Sequence, residues 1–173
     1  MNHQKREAGF TLPELLAALV VLALLLGMGL RSGGETLARQ RLEAATRRLA
    51  QGIERARSEA RRQGRPCALS LEGGAWQPPN GGSLPGCRTA AMALAESGAA
   101  AAIAVHHNLP AALRFTANGL VLDGGTVVLA AAGTPLQRCL VMALPLGVVR
   151  LGRYEGELTA APTASACVLD PAL

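Results

Sequence analysis

The sequence predicts an α+β fold in which one long N-terminal helix packs against a β-rich head. The first observation is a charge-free apolar run over residues 15–30, which passes into an amphipathic, arginine-rich pattern. The second is a series of short apolar or alternating runs after residue 66, separated by Gly, Pro, Asn and Asp turns. Apolar residues three and four apart are typical of helices, and short runs between turns are typical of strands. Because such a helix cannot bury its apolar face alone, a domain must pack on it.

The N-terminal apolar run is long enough to cross a bilayer. At about 1.5 Å per helical residue, residues 10–30 span about 30 Å, the thickness of a hydrocarbon core. Lys5 and Arg6 precede the run and favour retention of this end on the cytoplasmic side. The small-residue cleavage site that a secretory signal peptide needs is only weakly represented after the run. Neither a signal peptide nor an ordinary signal anchor explains Glu14, since a charge in a membrane helix tends to mark function.

The residues around Glu14 resemble the processing site of type IV prepilins and type II secretion pseudopilins. The stretch AGFTLPELLAAL carries this resemblance. In that family a prepilin peptidase cuts after the glycine and methylates the new N-terminal residue, which here implies cleavage after Gly9 and methylation of Phe10. The resemblance also implies that Glu14 neutralises an N-terminal amine when subunits dock. Residues 1–9 would be the leader peptide, and residues 10–30 the transmembrane and filament-core helix.

Residues 31–65 continue as an amphipathic helix with an arginine-rich face, so that the whole helix runs from about Leu12 to Gln63. These residues contain ten Arg and four Glu, so the positive net charge of the chain, +5, is concentrated in this segment. The SGG stretch at 32–34 predicts a flexible joint, and the QGRPC stretch ends the helix. The predicted apolar face comprises Leu42, Ala45, Leu49, Ile53, Ala56 and Ala60.

The arginines of this helix are interpreted as a solvated face, as contacts for lipid head groups, or as partners for glutamates of neighbouring subunits. Those glutamates are Glu43, Glu54 and Glu59.

The remainder, residues 66–173, predicts a β-rich periplasmic head. Residues 77–86 read as an exposed loop, and residues 90–105 as either a short helix or a loop and strand. The C-terminal stretch TAAPTASACVLDPAL looks irregular and held only by Cys167. Six runs predict strands: CALSL, LRFTA, GLVLD, TVVLAA, RCLVMAL and GVVRLG.

The four cysteines predict disulfides rather than a metal site. They have no C-x-x-C spacing and no metal-like histidine pattern near them. An even number of cysteines in a chain with a membrane-targeting segment favours an oxidising compartment. Of the three possible pairings we favour the one that is local in sequence, Cys67 with Cys87 and Cys139 with Cys167.

Residues 114–153 resemble the C-terminal half of the GspH/FimT group of minor pilins and pseudopilins. The shared pattern runs from the phenylalanine-containing strand RFTA through a Gly-rich turn and the strand TVVL to the final hairpin of CLVMALPLGVVRLGR. The resemblance implies a type IV pilin-like fold, with a long helix packed on an antiparallel β-sandwich-like head.

The sequence offers no catalytic residues, cofactor site or metal site that we can name. Its serines lie in no G-x-S-x-G context, and no nucleotide-binding loop is recognisable. A single tryptophan such as Trp76 is more typical of core or loop packing than of a ligand platform. The adjacent His106 and His107 are more typical of a loop or a strand edge than of a catalytic site. We therefore expect no enzyme, and nothing favours the alternative of a membrane-anchored periplasmic enzyme.

A DNA-binding role rests on resemblance to the FimT branch, some members of which take up DNA through a Gly-Arg-x-Arg motif near the C-terminus. The corresponding residues here are Gly152, Arg153, Tyr154 and Glu155, so that a glutamate replaces the last arginine. Arg150 lies nearby, and Tyr154 offers a ring for stacking on a base. The candidate DNA-binding residues are thus Arg150, Arg153 and Tyr154. Neighbouring acids weaken the site, because affinity grows with the number of phosphates neutralised.

Together these features predict a non-enzymatic minor subunit of a type IV pilus. It would be a single-pass protein of the bacterial inner membrane with a periplasmic head. Its implied partners are prepilin peptidase, other pilin or pseudopilin subunits and the inner-membrane assembly platform. Two alternatives stay open: a GspH-type pseudopilin of a type II secretion system acting in protein export, and a DNA-binding minor pilin acting in natural transformation.

Overall fold

One helix, α1, runs from Leu12 to Gln63, the bounds that the sequence predicted. The computed structural model describes residues 11–95, 103–144 and 146–170, except for the side chains at 26–32. The chain divides into two compact units, Met1–Thr36 and Leu37–Leu173. The second half of α1 therefore belongs to the same unit as the β-rich head.

The C-terminal end of α1 is closed by a glycine in the left-handed conformation. Gly64 has a φ of 60° and donates its N–H to the carbonyl of Arg61 at 3.3 Å. The N–H of Arg65 reaches back to the carbonyl of Ala60 at 3.2 Å. This is the Schellman pattern of capping, and Pro66 then prevents the helix from continuing.

The predicted apolar face of α1 is the face that packs on the head. Its members are each at most 1% exposed: Leu42, Ala45, Leu49, Ile53, Ala56 and Ala60. They share one core with side chains of both sheets described below, among them Leu69, Phe115, Val127 and Leu140. This shared core joins the helix and the strands into one unit.

The described part of the head contains two antiparallel sheets. The first has the strand order β3-β2-β1-β5, and the second has the order β4-β6-β7-β8-β9. In chain order the strands are β1 (Cys67–Glu72), β2 (Ala75–Gln77), β3 (Met92–Ala93), β4 (Ile103–His107), β5 (Leu113–Phe115), β6 (Gly125–Ala131), β7 (Gln137–Ala143), β8 (Val148–Tyr154) and β9 (Cys167–Leu169). A helix packed on antiparallel sheets confirms the predicted α+β, pilin-like fold.

Trp76, the only tryptophan, lies in the core against α1. It is 1% exposed, and its indole Nε1 donates to the carbonyl of Leu49 at 2.9 Å. A Cβ atom at Gly52 would lie 2.1 Å from Cδ1 of the indole ring, so only glycine fits there. The ring thus packs directly on the helix backbone, as the packing interpretation of Trp76 predicted.

The two disulfides are the sequence-local pair. Cys67 is bonded to Cys87, and Cys139 is bonded to Cys167. The first closes the Pro- and Gly-rich loop that follows β2, which is also fixed by a bridge between Ala68 and Gly86. The second ties β9 to the centre of the second sheet.

The GLVLD run is not a strand, contrary to the sequence prediction. It belongs to a tight turn after β5, in which Val121 makes one isolated bridge to Phe115. Asp123 ends the turn by accepting hydrogen bonds from the guanidinium Nε of Arg114 at 2.8 Å and from its backbone N–H at 3.1 Å. The guanidinium hydrogen bond, against partial desolvation, lowers the pKa of the Asp123 carboxyl, and the same pair raises the pKa of Arg114. Two backbone hydrogen bonds, from Thr116 to Leu120 at 2.9 Å and from Leu122 to Arg114 at 3.0 Å, close this turn together with the Arg114–Asp123 pair, but they do not extend into a strand.

The C-terminal stretch is not wholly irregular, because it contains β9. This strand pairs with β8 through Gly152–Leu169, Arg153–Val168 and Tyr154–Cys167. It is followed by Asp170, whose carboxylate accepts a hydrogen bond from Arg138 of β7 at 2.5 Å. Strand pairing and this ion pair therefore hold the segment in addition to Cys167.

Candidate functional site

The N-terminal unit presents an apolar helical surface. Nine large aliphatic side chains between residues 12 and 25 are each more than half exposed: Leu12, Leu15, Leu16, Leu19, Val20, Val21, Leu22, Leu24 and Leu25. Within the part of the chain that the structure describes, no helix is long and apolar enough to cross a membrane. In a monomer in water this surface would be unfavourable, because apolar area of this size is normally covered by lipid or by protein.

Glu14 has a partner inside its own chain. Its Oε2 accepts a hydrogen bond from the backbone N–H of Thr11 at 3.0 Å and another from the Thr11 hydroxyl at 2.9 Å. Thr11 precedes the first helical residue, so Glu14 occupies the third helical position and satisfies a free N–H at the helix start. The T-x-x-E spacing of residues 11–14 is the signal in the sequence that predicts such a contact.

The predicted processing residues, Gly9 and Phe10, lie outside the described residues. Glu14 is the one member of the predicted N-terminal site that the structure places. Its carboxylate is exposed and lies at the start of the apolar surface. Cleavage after Gly9 would leave a new N-terminus four residues before it.

The structure does not bring the predicted DNA-binding residues together. Side chains alternate between the two faces of a strand, so Arg150 and Arg153 of β8 point to opposite faces of the sheet. Arg153 shares its face with Leu151, which packs against the main core, and it pairs with Glu155 at 2.7 Å. Arg150 lies opposite Val141 on the other face. One phosphate backbone would not contact both arginines from the same side, and DNA binding through them stays a prediction.

Tyr154 is not available for stacking on a base, which corrects the role given to it from the sequence. The residue is only 6% exposed and packs in a second cluster with Val128, Cys139 and Cys167. Its hydroxyl accepts a hydrogen bond from the backbone N–H of Thr163 at 3.4 Å. The C-terminal segment covers the ring, and a stacked base would have to displace it.

Three glutamates of α1 have partners within the chain. Glu43 accepts from the buried guanidinium of Arg138 at 3.2 Å, and Glu54 pairs with Arg57 at 2.9 Å. Glu59 is buried and accepts from the backbone N–H and the hydroxyl of Thr89. Pairing of these acids with arginines of other subunits stays a prediction.

The histidines lie at a sheet edge. His106 and His107 belong to β4, the outermost strand of the second sheet, as one of the two sequence interpretations predicted. No group of three His, Cys, Asp or Glu that could hold a metal occurs among residues 11–95, 103–144 and 146–170.

These features define a class of protein, a pilin-like subunit with an exposed N-terminal helix and a β-rich head. Residues 45–145 match the family described as Type II transport protein GspH, and residues 4–30 match the prokaryotic N-terminal methylation motif. The chain belongs to the GspH family, since the match covers more than half of it. No curated protein and no solved structure matches the chain. The chain is thus a minor pseudopilin or pilin subunit, from a family of structural subunits that is not a known enzyme family.

Proposed function

We propose that residues 10–30 first anchor the chain in the bacterial inner membrane and later pack against other subunits in a filament. The observation that carries this proposal is the row of exposed aliphatic side chains from Leu12 to Leu25. Such a row needs lipid before assembly and helices of other subunits after it. The head would then lie in the periplasm, where the two disulfides can form.

The N-terminus would be processed before assembly. A prepilin peptidase would cut between Gly9 and Phe10 and methylate the new N-terminal amine, a step supported by the methylation-motif match over residues 4–30. Glu14 would then exchange its contact with Thr11 for the ammonium group of an N-terminus. The inner-membrane assembly platform would receive the processed subunit.

Replacing Gly9 with leucine should block this processing. A bulky side chain at the cleaved bond would prevent the peptidase from aligning the peptide, so the full-length precursor should accumulate in the membrane. Immunoblotting after synthesis in a host with the peptidase measures the ratio of precursor to mature chain. Thr11→Ser is a matched control, since it keeps a hydroxyl two residues after the cut, and it should be cleaved normally. Normal cleavage of the Gly9→Leu chain would contradict the assigned site.

The filament that we propose is a type IV pilus, with the chain as a minor subunit. The two disulfides fit this choice, because disulfides persist outside the cell, and they would persist equally in a periplasmic pseudopilus. The second candidate is a type II secretion pseudopilus acting in protein export, and the description of the matched family favours it.

Cross-linking from the apolar helix separates these two filaments. A photoreactive amino acid at Leu22, which is 53% exposed, would capture whichever helix packs beside it in cells. Capture of a major pilin, identified by mass spectrometry, would support the pilus. Capture of secretion pseudopilins would support export instead. Capture of no filament subunit would contradict the proposed assembly.

A further inference from the structure

Four arginines form a regularly spaced row on the solvent side of α1, which we call the arginine stripe: Arg41, Arg48, Arg55 and Arg62. They recur at every seventh residue, which places successive members about 10.5 Å apart along the helix and the outer two about 31 Å apart. Seven residues are nearly two helical turns, so all four lie close to one line on the helix surface.

The residues between these arginines are small or polar. Ala44, Gln51 and Ser58 lie on the same side of the helix, and none of them is buried. The core-facing residues of α1 lie on the opposite side and are covered by the sheets. The stripe therefore borders a surface that another backbone can approach closely.

The carboxylates that could neutralise the stripe are already engaged elsewhere. Glu43 and Glu54 pair with Arg138 and Arg57, and the carboxylate of Glu59 is buried against Thr89. These three are the only acids between residues 37 and 65. With these carboxylates engaged, Arg41, Arg55 and Arg62 are left to pair with acids from another molecule.

Three arginines of the stripe lack a carboxylate partner in the described part of the chain. Arg41, Arg55 and Arg62 are exposed and have no acidic oxygen within 4.0 Å. The guanidinium of Arg55 has only a weak contact, 3.8 Å to the sulfur of Met92. These side chains are thus positioned on the surface with their charge uncompensated.

We propose that the arginine stripe binds the acidic face of a helix from a different filament subunit, whose carboxylates also recur at every seventh residue. A seven-residue repeat is the period at which two helices crossing at a small angle keep facing each other. Charged side chains flanking such a seam set partner choice and register. This inference rests on the proposed function, because it assumes that α1 lies beside other subunits' helices in a filament.

Other anionic partners fit the stripe less well. A second copy of the chain would bring the same arginines, with its helix acids engaged in the same way. Nucleic acid is normally held by aromatic stacking as well as by arginine, and residues 37–65 contain no aromatic side chain. A helix lying on a lipid surface presents large apolar side chains beside its basic ones, whereas here Ala44, Gln51 and Ser58 occupy those places.

The experiment uses the full-length chain in cells, with a photoreactive amino acid at Gln51. Gln51 is exposed and lies between Arg48 and Arg55. Its cross-linked partner is identified by mass spectrometry, and a second probe at Leu22 is run in parallel. We expect the Gln51 probe to capture a helix of another subunit that bears Asp or Glu seven residues apart.

Charge reversal then tests whether the arginines carry the contact. The triple substitution Arg41→Glu, Arg55→Glu and Arg62→Glu should reduce capture by about tenfold or more, because attractive pairs become repulsive ones. The matched control reverses Arg47, Arg65 and Arg88, three other exposed arginines, and should leave capture unchanged. A triple Arg→Lys variant at the stripe keeps the charge and should also retain capture, which separates loss of charge from failure to fold.

The outcomes distinguish this inference from the proposed function. In one outcome, the probe at Leu22 captures a filament subunit while the probe at Gln51 captures no acidic helix. That result would leave the proposed filament assembly intact but would overturn the proposed role of the arginine stripe. Cross-links from Gln51 to lipid, to nucleic acid or to a second copy of the chain would also overturn it. Loss of capture from both probes would contradict the proposed function itself. Restored capture when the partner's carboxylates are changed to lysine, opposite the reversed stripe, would establish the pairing.

Discussion

Replacing Glu14 with alanine is expected to leave cleavage after Gly9 intact and to prevent incorporation into the filament. In the packed helices of a filament, the N-terminal ammonium of Phe10 would lose its counter-charge. An unpaired buried charge costs about 3–5 kcal/mol, which corresponds to a fall in incorporation of about a hundredfold or more. The amount of the subunit in sheared or detergent-extracted filaments, relative to the mature chain in the membrane, measures the effect.

A glutamine at the same position separates two roles of Glu14. In the structure Glu14 accepts a hydrogen bond from the backbone N–H of Thr11, and glutamine can do the same at this helix position. Glu14→Gln thus keeps the helix cap but removes the charge. If both variants fail to assemble, the charge is responsible. If Glu14→Gln assembles normally while Glu14→Ala does not, the hydrogen bond that residue 14 accepts from Thr11 explains its role, and the proposed ammonium contact is wrong.

Replacing Gly52 with alanine should destabilise the head, although the same change stabilises most helices. Alanine in a helix interior is favoured over glycine by about 1 kcal/mol. Here the added methyl would lie 2.1 Å from Cδ1 of Trp76, a fully buried ring whose indole N–H is bonded to the carbonyl of Leu49. Overpacking of a core costs about 1–3 kcal/mol, and a clash this close with a fixed ring should fall at the upper end. The steric term therefore outweighs the helix propensity.

The fluorescence of Trp76 reports this change directly, because it is the only tryptophan. Urea unfolding of the full-length chain in detergent should show a lower midpoint and a red-shifted native spectrum for Gly52→Ala. Gly33→Ala and Gly34→Ala provide controls in the same helix, since a Cβ at either position would contact no atom within 4 Å. The controls should leave the midpoint unchanged or raise it, since helix propensity is then the only term. An unchanged midpoint for Gly52→Ala would show that the ring moves aside without loss.

The parts of the fold that sequence predicted are those with a strong local period. The face of α1 from Leu42 to Ala60 repeats over several turns. The strands β1, β6 and β7 contain short apolar runs, and β8 interleaves apolar residues with two arginines. The short strands β2 and β3 have two or three residues each and leave no such pattern. β9 carries the exposed Val168 and Leu169, and only its disulfide and its pairing with β8 make it a strand.

The site was harder to predict because its contacts join residues far apart in the chain. The acceptor of the Arg138 guanidinium, Glu43, lies 95 residues earlier, and no local pattern connects them. Tyr154 is covered by a segment that reads as irregular in the sequence, so its burial could not be inferred. The processing motif, in contrast, is a short contiguous stretch, and the sequence alone was enough to propose it.

The absence of any cysteine from α1 has a mechanical consequence for a subunit under load. Both disulfides join parts of the head to each other, so a pull on the N-terminal end of the helix meets no covalent cross-link before Cys67. The resisting contacts are the packed face, the Trp76 hydrogen bond and the ion pair of Glu43 with Arg138. Stretching a filament should therefore detach the helix from the head one turn at a time, starting at Leu37. The sheets, closed by the disulfides, should keep their shape, so that the helix can pack on them again.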